Sequence, residues 1–183
     1  MADLAVESDL DVGFVRYLVP VGTAEERARR AAVLRDPRVV LGASDGGAHV
    51  RGVINVEYTT ASFAELVRGE PVFTLEELVR ELTSVPADLY GLVDRGRIRA
   101  GAHADLVVFD PETIAPSPVR LAADLPGGAS RLLSHGVGIQ AVVVAGQTVV
   151  ASGVVTGDHP GRVLRSGRDT AGAGFPVLRA DRP

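Results

Sequence analysis

Asp45 is a carboxylate placed where it could move a proton or simply shape a turn. It follows the run Val39-Val40-Leu41-Gly42-Ala43-Ser44 and is followed by Gly46-Gly47. Residues 38–43 are short, β-branched and apolar on both faces, the pattern of a buried parallel strand. A carboxylate just past such a strand could take a proton from an attacking water and pass it on. The same residues also fit a plainer reading. A strand followed by Asp-Gly is a common turn, and aspartate there caps the next element. Neither reading is excluded by these residues alone. His49 is equally open: it either lines the same pocket and contacts a carboxylate, or is a loop histidine bonded to backbone.

The other three histidines, His103, His135 and His159, fall in turns of the second half, and no pair of them has metal-ligand spacing. They read as surface residues. The 183 residues contain no cysteine, which excludes disulfides and thiolate chemistry. With 46% hydrophobic and 23% charged residues, the composition is that of a globular chain with no run long enough for a membrane helix. The net charge is −4, with no basic stripe and no tryptophan, so neither nucleic acid nor membrane is expected as a partner. The acidic start, Met1 to Leu10, lacks the basic and apolar regions of a signal peptide, and a cytoplasmic location is expected.

The elements that must position Asp45 come from capping and periodicity. Residues 11–18 have near-helical spacing. Thr23 and Glu26 make a capping box for a helix through Leu34, and Asp36-Pro37 stops it. Residues 61–68 read as a short helix ended by Gly69. Thr74 and Glu77 form a second capping box, with Leu75, Leu78, Val79 and Leu82 on one face. Pro86 opens a further turn that Gly91 ends. From Asp94 the texture becomes β: a strand over 105–109, a surface excursion over 114–130, and a hairpin whose strands flank Gly146-Gln147. The tail after Gly167 is rich in Gly, Ala and Arg and is expected to be loose.

Three stretches carry a resemblance. Residues 83–92 (TSVPADLYGL) and 94–110 (DRGRIRAGAHADLVVFD) are similar to the segment joining the last barrel helix of amidohydrolases to their small β-domain. Residues 144–150 (VAGQTVV), followed by Gly153, Gly157 and Pro160-Gly161-Arg162, look like the closing hairpin of that domain. The chain most resembles the N-acyl-D-amino-acid deacylase (D-aminoacylase) family.

The resemblance implies an α/β plus β fold: the C-terminal part of a metal-dependent (β/α)8 barrel followed by a small β-sandwich domain. Residues 1–92 would be the last part of the barrel, 93–167 the β-domain and 168–183 a flexible tail. It also implies hydrolysis of a C–N amide bond of a small molecule, an N-acyl-D-amino acid, by a metal-bound hydroxide. Residues 39–49 (VVLGASDGGAH) resemble the end of the family's eighth barrel strand, which implies Asp45 as the proton shuttle and a weak or indirect metal contact, His49 as a substrate contact, and zinc as the cofactor. Zinc would need further ligands, since the family's His-x-His pair is missing from these residues. A barrel takes ~250 residues. The expectation is therefore a fragment, inactive and without zinc alone, that joins a missing N-terminal barrel portion or a partner chain. The alternatives are a cyclic-amide hydrolase of the same superfamily and a non-catalytic interaction module.

Overall fold

The computed structural model describes residues 22–42, 44–46 and 56–171. The expected helix over 11–18 lies outside them. Helix α1, Ala24–Leu34, starts where the capping box places it. The Thr23 hydroxyl accepts from Glu26 N at 3.2 Å, and the Glu26 carboxylate accepts from Thr23 N at 2.7 Å. Helix α2, Tyr58–Ser62, runs into a π-helical segment, Phe63–Gly69, so this helical stretch begins earlier than its sequence suggests. Hydroxyls of Thr60 and Ser62 bond back to the carbonyls of Glu57 and Tyr58, a competing bond that loosens the regular ladder. Helix α3, Leu75–Leu82, repeats the box with Thr74 and Glu77. Helix α4, Ser84–Leu89, follows directly.

The β half contains β1 Leu106–Phe109, β2 Ala115–Pro116, β3 Arg120–Ala122, β4 Arg131–Leu133, β5 Gly136–Val137, β6 Ile139–Val144, β7 Gln147–Ala151 and β8 Val154–Val155. The principal sheet has the order β1-β6-β7-β8, and every paired strand is antiparallel to its neighbour. The β6–β7 hairpin turns at Ala145 and Gly146, both at positive φ (49° and 81°), as a tight two-residue hairpin requires. Register places Val107, Val142, Val150 and Val155 opposite one another across all four strands. The outer two, Val107 and Val155, remain 54% and 69% exposed. The inner two, Val142 and Val150, are half-buried.

The two halves share one core. Phe63, Leu66, Val72, Phe73 and Leu78 bury together with Ile114, and Phe109 and Ile139 pack on them. The Phe63 and Phe109 rings lie 4.9 Å apart. Arg68 donates to the carbonyls of Pro111 and Ile114 and ties the π segment to the β half. A surface excursion was expected from residue 114, yet Ile114 is only 3% exposed. Its backbone is held against Gly138, where a Cβ would lie 2.6 Å from Ile114 N. Gly138 also has φ +77°. Gly138→Ala is therefore expected to destabilise the chain by about 2–4 kcal/mol, from left-handed strain plus overpacking. Gly101 has φ +86° with nothing within 4 Å of its would-be Cβ. Gly101→Ala should cost only the strain, about 1 kcal/mol. Urea unfolding of the two variants distinguishes them; equal losses would show that the Ile114 contact does not matter.

The strand expected over 38–43 does not form: residues 38–42 contain no strand, and Ala43 is not described. Instead Val39 N donates to Asp36 O at 2.9 Å in a turn. A parallel strand exists only when neighbours take up its N–H and C=O groups, and no described strand lies beside this one.

Residues 168–171, which the sequence reading assigns to the loose tail, are tied back. Val93 N donates to Asp169 O, Ala171 N donates to Gly91 O, and Leu92 bridges Thr170. The Asp169 carboxylate accepts from Arg168, Arg165 N and Arg162. The Arg168 bond, then the Arg165 amide, hold it below the usual carboxylate range. Arg131 does the same for Asp124, and the Glu112 amide for Asp110. Because these native values are depressed, their contribution is complete above the unfolded value of about 3.9. It is lost as pH falls through the native values. Glu65, pushed up by burial, works in the opposite sense, its contribution fading as pH rises. Thermal melts should show a plateau above about pH 5 and a falling midpoint below about pH 4. A midpoint that rises on acidification would contradict this.

Candidate active site

Asp45 sits in a turn between Ser44 and Gly46 and is exposed. The turn is closed by the Ser44 hydroxyl, which accepts from Gly46 N at 3.2 Å. Gly46 lies against Val56: a Cβ on it would come within 3.1 Å of Val56 Cγ2. The Asp45 turn is thus seated beside the start of α2, and a larger residue at 46 would push it off. The approach to the turn is fixed by Asp36, which accepts from Arg38 N and from the Arg38 guanidinium. The guanidinium bond, followed by the amide bond, lowers the Asp36 carboxyl to about 2. The Asp45 carboxylate itself has no hydrogen-bond or ion-pair partner among the described residues. An exposed carboxylate with free lone pairs can accept and release protons. Nothing among its described neighbours aims it.

His49 lies outside the described residues. His103, His135 and His159 are all exposed in the β half, as expected. His135 Nδ1 is 3.1 Å from the Ser117 hydroxyl. Among the described residues no three His, Asp or Glu side chains gather closely enough to hold a metal ion. None of their helices is long and apolar enough to cross a membrane.

Two concavities of about 240 Å³ each lie away from Asp45. One is walled by the end of α1 and by α3, and its charges are mutually paired: Arg35 with Glu77, Arg80 with Glu81, and Asp36 with Arg38. The other, in the β half, brings together Arg95, His103, Asp105 and Arg162. Sequence reading passes over this second group, because 67 residues separate Arg95 from Arg162 and no local motif joins them.

The chain belongs to the Amidohydrolase family, whose model matches residues 1–150. Over 117 residues it is 39% identical to the N-acyl-D-glutamate deacylase of Alcaligenes xylosoxydans xylosoxydans, a match covering 64% of this chain and 22% of that protein. It is also 39% identical over 98 residues to the D-aminoacylase of the same organism, covering 51% of this chain and 17% of that one. The crystal structure of N-acyl-D-glutamate deacylase from Bordetella bronchiseptica, complexed with zinc and a phosphonate inhibitor, matches at 37% identity. That match has a TM-score of 0.39 and covers 49% of this chain and 17% of that one. The chain thus spans about a fifth of the length of the curated relatives it matches.

Proposed function

We propose that this chain is one part of a metal-dependent enzyme that hydrolyses the amide bond of N-acyl-D-amino acids, with Asp45 as its proton carrier. The observation that carries the proposal is the 39% identity to a deacylase over 117 residues, within a family match that includes Asp45. In the proposed reaction, water adds to the acyl carbon and Asp45 takes its proton. Asp45 returns a proton to the departing nitrogen as the C–N bond breaks, leaving a carboxylate and a free D-amino acid.

Residues 1–92 are assigned to the barrel, 93–167 to a β-sandwich domain, and His49 to substrate contact. Zinc is the expected metal, and such a site needs about four ligands. The described residues do not fit it by themselves, since no three His, Asp or Glu side chains among them gather to hold a metal ion. No step is therefore routed through the metal. The remaining ligands are assigned to a missing N-terminal barrel portion or a partner chain.

A chimera tests the proposal: this chain replaces the matching segment of the Alcaligenes N-acyl-D-glutamate deacylase. N-acyl-D-amino acids should be hydrolysed and their L-enantiomers left intact. A folded chimera that releases no amino acid from either enantiomer would overturn the assignment.

A further inference from the structure

The geometry points to a binding site for a small carboxylate with a short apolar body, in the β-half cavity walled by Arg95, His103, Asp105, Arg162, Val144 and Leu164. The case rests on which hydrogen-bonding valences remain free. Asp105 is already paired: one oxygen accepts from Arg95 and the other accepts from Ala145 N at 2.9 Å, which leaves one further lone pair on each. The arginines hold more in reserve. A guanidinium has five N–H donors. Among the described residues, Arg95 bonds through one nitrogen only, to Asp105, and Arg162 through one only, to Asp169. The Arg95 side chain is 17% exposed, and its free donors open onto the cavity rather than being sealed from solvent. The His103 ring adds a further group able to donate.

Free donors thus outnumber free acceptor sites in the cavity, and a forked guanidinium matches the two oxygens of a carboxylate. Val144 and Leu164 supply an apolar wall on which a short hydrocarbon body can lie. A volume of about 240 Å³ suits a molecule of a few heavy atoms. This site shares no residue with the proposed acylase chemistry, which uses Asp45 and His49.

Amide shifts of the isotopically labelled full chain, titrated with butyrate, inorganic phosphate and butylammonium, test the inference. Butyrate should give saturable shifts centred on Ala145 and Gly161, and should bind more tightly than phosphate. Butylammonium should give no saturable shift. Arg162→Gln should weaken butyrate at least about tenfold, the loss of one charge-assisted pair. Arg162 also holds Asp169, so the Leu92 and Thr170 amides report whether that segment has stayed in place. If it has moved, Leu164→Glu, which adds a repelling carboxylate to the wall, should weaken butyrate to the same degree. Tighter binding of phosphate or butylammonium, or butyrate affinity unchanged in both variants, would overturn the assignment.

Discussion

Asp45→Asn in the chimeric deacylase should lower kcat roughly 100- to 10,000-fold, the range that a positioned acid–base group contributes. The amide has the shape of the carboxylate but cannot take the proton of the attacking water. It should leave KM nearly unchanged, because the proposed role lies in the transition state rather than in holding the substrate. The fold should also be untouched: Asp45 is exposed and makes no bond among the described residues that the substitution could break. Steady-state kinetics alongside a thermal melt separates the outcomes. A large loss of kcat with an unchanged melt fits a proton carrier. Unchanged kcat would return Asp45 to the role of a simple turn residue.

Leu78→Ala should destabilise the chain by about 2–5 kcal/mol, the cost of removing a fully buried leucine and leaving a cavity. Leu78 is the one large side chain with no exposure among the described residues. It lies on α3 amid Phe63, Leu66, Val72, Phe73 and Ile114, where both halves of the chain meet. The loss should therefore reach the β sheet as well as the helix. Urea unfolding followed by helical circular dichroism and by β-half amide signals should show one shared transition moving to lower denaturant. Two separated transitions would mean that the halves do not fold as one unit.

Local signals in the sequence are strong where the structure agrees with them. Both capping boxes are visible as Thr-x-x-Glu, and each depends on contacts three residues apart, so nothing distant is needed to read them. The β6–β7 hairpin is legible for the same reason, although its turn falls at Ala145-Gly146, one residue before the expected Gly146-Gln147. Readings that depend on distant partners fare differently. The run at 38–43 carries the composition of a buried strand, but a strand is a property of its neighbours, and none is described beside it. Ile114 looks like part of a proline-rich surface loop, and its burial is set by Gly138 and Arg68, 24 and 46 residues away in sequence. The attachment of 168–171 to 91–93 has no local signature either. Asp45 itself was found from its place after an apolar run, and the family resemblance gave it a role. The Arg95–Arg162 cavity has no such run and emerges only once the chain is folded.

The most direct measurement is the initial rate of N-acyl-D-amino-acid hydrolysis as this chain is titrated into the separately prepared N-terminal portion of the deacylase. Neither component should be active alone, and the rate should climb to a plateau at one chain per complement. Full activity from either polypeptide by itself, or a plateau reached equally well with Asp45→Asn, would contradict a shared site in which this chain supplies the proton carrier.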